Sequence, residues 1–271
     1  MFEDPTNKVE QVKLPQAFKK AEEVIGEYQI EPQSFDDLYD KEQIAKDLEF
    51  VLERKKKWAN QSFEMHDDVN KKLATVFESI IFDQGESSEW LGSNAFLIKT
   101  SEYDDFKNGV DAVAEYDMEE GVSRVAMAID VTFNHNIQKK ISKIKENIRN
   151  GILTEVKYFE SQVEDIRGQI KNIPHIIVGA DVDTVRELAN AWVDDDKEAL
   201  AQHGVQFQFF EEAILQCKYF AEFAEANGQT KIKEKYNSLQ RVLEAQLKNK
   251  NLEDKGTRDS FMKDFQNYFD F

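Results

Sequence analysis

The stretch GVDAVAEYDMEEGVSRVAMAIDVTF, residues 109 to 133, carries one aspartate in each of two runs otherwise rich in Val, Ala and Ile. If MEEGVS closes a hairpin centred on Glu120 and Gly121, residues whose numbers sum to 241 face each other, and Asp111 lies opposite Asp130. One face of the pair then carries Asp111, Val113 and Glu115 with Ala126, Ala128, Asp130 and Thr132; the other carries Val125, Met127, Ile129, Val131 and Phe133, a core face. Two directly opposed carboxylates repel by about 1 kcal/mol, so the arrangement calls for a counter-ion. A hard divalent cation, Mg2+ or Mn2+, is the counter-ion that oxygen ligands suit. Such an ion lowers the pKa of a bound water and neutralises charge on a phosphate. The small Ala126 and Ala128 are expected to leave room beside it.

The elements around this hairpin are readable from periodicity. HDDVNKKLATVFESIIFDQG places Val69, Leu73, Val76, Phe77, Ile80 and Ile81 on one helical stripe, with Gly85 expected beyond its end. AFLIKT (95–100), VDAVAEYD (110–117) and RVAMAIDVTF (124–133) read as strands. NIQKKISKIKENIRNG reads as a helix with Ile137, Ile141, Ile144 and Ile148 on one face and Gly151 as its stop. LTEVKYFE and IPHIIVGAD add two strands, and DTVRELANAWV reads as a helix capped near Asp181 or Asp183.

Helix, strand, hairpin strand, hairpin strand, helix, strand is the core order of the PD-(D/E)xK nuclease superfamily, which residues 66 to 180 resemble. The resemblance implies a restriction-endonuclease-like α/β fold, an αβββαβ core with a mixed sheet, acting on nucleic acid as a magnesium-dependent nuclease. Carried over residue by residue, Glu78 in VFESIIF matches the helix acid, Asp111 the first strand aspartate and Asp130 the second. In the family the two strand positions bind the metal; Glu78 is expected to hold a second ion or its water. The chain departs from the motif where AIDVT puts Thr132 in place of the lysine. Lys139, Lys140 and Lys143 on the following helix, or Lys99 on the first strand, are the substitutes, and Lys139 or Lys140 is preferred because that helix leaves the metal-bearing strand directly. The alternative is a nuclease fold that has lost its chemistry and acts as a protein-interaction module.

Flanking segments complete a three-part expectation: an N-terminal helical arm (1–65), the nuclease-like core (66–200) and a C-terminal helical extension (201–271). Pro5, Pro15 and Pro32 predict only irregular or short-helical pieces before residue 33. Asp40 is the expected N-cap of a helix carrying Ile44, Leu48, Val51 and Leu52 and ending in the basic run Arg54, Lys55, Lys56 and Lys57. Beyond residue 201, a long helix from Val205 to Ala226 and a second over KIKEKYNSLQRVLEAQLKNK predict a helical hairpin, and the tail aromatics Phe261, Phe265, Tyr268, Phe269 and Phe271 a stripe docking on the chain's own core. These C-terminal helices are also the expected surface for a protein partner or self-association.

Composition narrows the classes. Hydrophobic residues at 41% with charged residues at 32% are globular proportions, and no window approaches the about eighteen apolar residues of a membrane span. No membrane partner and a cytoplasmic location are therefore expected. The formal net charge of −18 counts against broad phosphate binding, although basic runs exist locally. Cys217 is a lone cysteine in an apolar helix, which excludes an internal disulfide. No phosphate-binding glycine loop and no nucleophile elbow occur. His135 in FNHN is read as a polar helix-start residue, and His66, His175 and His203 lack zinc spacing.

Overall fold

The structure, a computed structural model, describes residues 13–61, 65–117, 125–133 and 137–269. The elements run α1 (Leu14–Tyr28), a short 3-10 turn (Pro32–Phe35), α2 (Lys41–Gln61), α3 (Met65–Ser87), β1 (Ala95–Lys99), α4 (Glu102–Asn108), β2 (Ala112–Tyr116), β3 (Val125–Thr132) and α5 (Gln138–Arg149). They continue as β4 (Thr154–Glu160), β5 (Arg167–Ile173), β6 (His175–Gly179), α6 (Val182–Val193), α7 (Lys197–Ala201), α8 (Val205–Ala226), α9 (Thr230–Asn249) and α10 (Ser260–Phe269). The MEEGVS turn and His135 lie outside the described residues.

The chain is a mixed α/β protein built on a four-stranded mixed sheet of order β1-β2-β3-β6; β1, β2 and β3 pair antiparallel, and β6 joins β3 in parallel. The β3-to-β6 connection contains α5 and a separate antiparallel hairpin, β4-β5. Pairing of β2 with β3 runs from Ala112 opposite Ile129 to Tyr116 opposite Val125, every pair summing to 241, so the register expected from the hairpin is the one observed.

Both faces of this sheet are buried. On one, Ala112, Ala114, Tyr116, Met127 and Ile129 join the larger core, which draws side chains from α1, α3, α5, α6, α8, α9 and α10. On the other, Ile98, Val113, Ala126 and Ala128 pack with Val156, Phe159, Ile170 and Ile173 of the β4-β5 hairpin. Burial on both faces is why the strands read as near-continuous apolar runs. The alanines at 126 and 128 thus make room for a second layer of sheet rather than for an ion, correcting the expectation drawn from their size.

Three local expectations are also corrected. Pro15 does not break the N-terminal region: it sits in the first turn of α1, where a missing N–H costs nothing, and the fully buried Ala17 and Ala21 let this fifteen-residue helix pack on α3. Gly85 does not stop α3. It lies inside the helix, where a Cβ would come within 2.8 Å of Leu97 Cδ2, so its bareness permits the approach of α3 to β1. The one strand expected after LTEVKYFE, over IPHIIVGAD, is found as β6, but an additional strand, β5, precedes it, and Pro174 separates the two.

Among the described residues no further strand pairs with the outer edge of β6; α8 supplies partners there instead. Gln216 accepts from Ile177 N at 2.9 Å and donates to Ile177 O at 2.7 Å, Glu212 accepts from Gly179 N at 2.8 Å, and Gln208 donates to Gly179 O at 3.1 Å. The i, i+4, i+8 spacing sets the three on one helix face, and together they protect an edge that would otherwise template aggregation. Gln216→Leu strands two buried backbone groups at about 1–3 kcal/mol each. A denaturation midpoint lowered by about 5–15 °C is expected, and an unchanged midpoint would contradict this role.

Candidate functional site

Six elements, α3, β1, α4, β2, β3 and α5, meet at the end of the sheet where β1 finishes and β2 begins. Asp111 immediately precedes β2, and there the ladder opens. Its N–H donates to Ile129 O at 2.8 Å, but the next rung, from Val131 N to Val110 O, is replaced: Val131 N donates to Asp111 Oδ2 at 2.6 Å, and Val110 O accepts from Thr100 Oγ1. The strands splay at this rung, with Asp111 and Asp130 facing each other across the opening. Asp111 Oδ1 is left without a protein partner among the described residues.

Two lysines stand against these acids. Lys140, in the first turn of α5, pairs with Asp130 Oδ1 and is 37% exposed. Lys99, the last residue of β1 and only 3% exposed, pairs with Glu78 of α3 and donates to Asp111 O at 3.0 Å. The ends of these elements therefore bring Glu78, Lys99, Asp111, Asp130 and Lys140 together, while Lys139 is exposed and pairs with no carboxylate among the described residues. Thr132 is buried at the end of β3, and Thr132 O accepts from Ala180 N at 3.3 Å.

Burial dominates the electrostatics. It raises Asp111, with the charge of Asp130 adding and Lys99 opposing. Asp130 is raised by burial against the pull of Lys140, and Glu78 by burial against the pull of Lys99. Burial works to lower the Lys99 ammonium, but Glu78, Asp111 and Asp105 outweigh it and hold Lys99 above its ordinary value, so this cation stays charged. His175, which bonds Thr154 Oγ1 through Nδ1 at 3.1 Å, is pushed down to about 3 by burial and the charges of Lys143 and Lys140; it is a neutral core histidine.

Asp105 is the member of the cluster that sequence reasoning missed. It lies on α4, seven residues capped by Ser101 and ended by Gly109 at φ 72°, a helix too short for periodicity to show. The cap and stop residues were its only signal. Its neighbour Asp104 faces the other way, accepting from Lys157 N at 2.7 Å and Tyr158 N at 3.1 Å, which ties α4 to β4. Asp105 faces the acids: burial, then Asp111 and Glu78, hold its carboxyl well above the ordinary range. A carboxyl raised in the folded state costs stability as pH climbs above its unfolded value of about 3.9. Asp105→Asn should therefore raise the melting temperature at pH 8 by about 2–4 °C, for a gain on the order of 1 kcal/mol, with the difference vanishing near pH 4. An equal difference at both pH values would show that Asp105 is not pressed by its neighbours.

The donors fit a hard cation in kind, being carboxylate oxygens at a splayed sheet end where burial and mutual repulsion penalise both charges. Among the described residues, no three acidic, histidine or cysteine side chains gather closely enough to hold an ion by themselves. Magnesium commonly takes only one or two carboxylates and fills its remaining positions with water and substrate oxygens.

No protein-family model matches this chain, and neither does any curated protein or solved structure.

Proposed function

We propose that this chain is a divalent-metal-dependent nuclease hydrolysing phosphodiester bonds, built on a divergent restriction-endonuclease-like core of α3, β1, β2, β3, α5 and β6. The observation that carries the reading is the splayed pair Asp111 and Asp130 with Glu78 and Lys140 brought to the same sheet end. Asp111 Oδ1 and Asp130 are the oxygens that would hold Mg2+ or Mn2+, with Glu78 close enough electrostatically to sense both aspartates. When bound, the ion would supply charge neutralisation at the phosphate and a more acidic water.

The chain's own groups supply the rest. Lys140 occupies the role left open by Thr132: partly exposed at a helix start, its ammonium can leave Asp130 for the charge that develops on a phosphate oxygen. Lys99, buried and committed to Glu78, holds that acid in place. Glu78, its carboxyl raised by burial against the pull of Lys99, would hold a second ion or its water.

A second reading, an inactive nuclease fold serving as a protein-interaction module, is favoured by the same two ion pairs, since Lys99 and Lys140 neutralise Glu78 and Asp130 without any metal. The test is incubation of the protein with plasmid DNA, a linear duplex and RNA in Mg2+ and in Mn2+. Cleavage that a chelator and Asp130→Asn both remove supports the nuclease; intact substrates in both metals support the second reading. For the membrane question, no helix among the described residues is long and apolar enough to cross a bilayer.

A further inference from the structure

The basic run of α2, Arg54 to Lys57, does not end the helix as expected, since α2 continues to Gln61, and it does not project away from the body of the protein. Phe50 of α2 packs edge-on against Tyr103 of α4 with ring centroids 5.8 Å apart, and Lys55 pairs with Glu102 at 2.5 Å. The same Phe50 ring holds two cations from different helices, the Arg54 guanidinium at 5.1 Å and the Lys107 ammonium at 5.5 Å from its centroid. The next residue of α4, Asn108, accepts through its backbone O from Lys143 of α5 at 3.3 Å, and one turn before Lys143 stands Lys140 on Asp130. A line of cations from three helices thus runs from the end of α2 across the last turn of α4 to the candidate site.

An ordinary solvated helix face does not account for this line. Surface lysines elsewhere are mixed, Lys46, Lys19 and Lys233 pairing with Glu42, Glu23 and Glu225 while Lys41, Lys139 and Lys231 pair with no carboxylate among the described residues; what sets this line apart is that cations from two helices converge on one aromatic ring. In a chain with 53 acidic and 35 basic side chains carboxylate partners are abundant. Yet Arg54, Lys56, Lys57 and Lys107 are exposed and pair with no carboxylate among the described residues. Leaving like charges together costs free energy, and on an overall acidic chain a cationic line offers a polyanion a favourable approach. The acid cluster alone would repel a phosphate backbone, so a substrate strand needs attraction supplied from beside it.

From this placement we infer that Arg54, Lys57, Lys107 and Lys143 form a track for the phosphate backbone of a polynucleotide, leading it over α4 to the splayed sheet end. The inference rests on the nuclease reading for its purpose, but its test reads binding alone. α2, which the sequence presents as part of an appended arm, becomes part of the substrate surface, and α4 becomes its bridge, with Lys107 on the track and Asp105 toward the acids.

The experiment is fluorescence anisotropy with a labelled 30-base-pair DNA duplex and the corresponding single strand as probes, in chelator so that neither metal nor cleavage enters. The full chain is compared with an Arg54→Gln, Lys57→Gln, Lys107→Gln variant and with a control carrying Lys197→Gln, Lys231→Gln and Lys248→Gln. All six positions are exposed, so folding should be unaffected, and the melting temperatures confirm it. Expected is binding by wild type and control that the track variant weakens at least tenfold, with the slope of log affinity on log salt falling by about 0.9 for each cation that touched a phosphate. This result stands even if wild type cleaves nothing, which would refute only the catalytic reading. Equal affinity and slope for the track variant overturn the inference, as does a wild type that ignores both probes. Binding confined to vesicles of phosphatidylcholine with phosphatidylserine would likewise overturn it, in favour of an anionic membrane.

Discussion

Asp130→Asn is expected to slow metal-dependent phosphodiester cleavage by about 10³-fold, because a metal's stabilisation of transition-state charge amounts to several kcal/mol and each 1.36 kcal/mol is tenfold. The same change should leave the fold intact and raise its stability. It removes one of two opposed carboxylates that burial already penalises, and the Lys140 it deprives of a partner is exposed enough to be hydrated. Rate and stability therefore move in opposite directions, which no merely structural role for Asp130 would produce. Asp111→Asn should act alike, since an asparagine oxygen can still accept from Val131 N and keep the splayed rung. Steady-state cleavage beside a thermal melt of each variant decides the matter: a variant that cleaves like wild type excludes these aspartates as metal ligands, and one that loses stability along with activity assigns them to the fold.

Lys99→Met is expected to be among the most destabilising single changes in the sheet. It empties a cation from a position 3% exposed and leaves Glu78 facing Asp111 with no counter-charge. Breaking one side of a buried pair costs about 3–5 kcal/mol, or about 6–20 °C in melting temperature for a domain of this size. The loss should depend on pH. In the variant the Glu78 carboxyl, already above its ordinary value through burial, rises further, so the folded state holds a proton that the unfolded state has released. Stability then falls as pH rises from the unfolded value of about 4.3 through the folded one. The deficit should be smaller at pH 5 than at pH 8, and Lys99→Met with Glu78→Gln should recover much of it at pH 8. Identical deficits at both pH values, or no recovery in the double variant, would show that the pair does not carry the effect.

The central pairing was legible because a hairpin leaves little freedom: once MEEGVS was taken as the turn, the sum of 241 followed, and β2 and β3 obey it. The helix faces of α3 and α5 and the bounds of α8 were equally readable, each from a periodic stripe, although the stop expected for α3 at Gly85 lies inside the helix. What escaped were features that sequence spacing does not encode. The opening of the ladder at Asp111 depends on a side chain replacing a backbone acceptor, and nothing in GVDAV marks that exchange. The sequence left Lys139 and Lys140 equal; only the phase of α5 on the body of the protein sets Lys140 on Asp130. β5, RGQIKNI, alternates too weakly to stand out, and the second sheet it builds with β4 covers the face where an ion was expected to find space. Gly179 shows the same limit at a single position: a Cβ there would come within 2.3 Å of Phe261 Cζ and 2.7 Å of Thr132 O, a demand set by the docking of α10 on the end of β6.

The aromatic tail fits this picture. Phe261, Phe265 and Phe269 are buried in the larger core, so the stripe that could have served a partner is used within the chain, while Phe271 lies outside the described residues. The edge of β6 is likewise closed by α8. Both leave the splayed end of the main sheet, with its cationic approach, as the region whose charges the fold itself does not explain.

The most direct measurement is calorimetric titration of Mg2+ and of Mn2+ into the wild-type chain and into the Asp111→Asn, Asp130→Asn double variant. The account predicts saturable binding to wild type that tightens as pH rises above the ordinary carboxylate range, because raised carboxyls must lose their protons to bind an ion, and no binding to the double variant. A wild type that binds neither ion, or a double variant that binds as well as wild type, would contradict it.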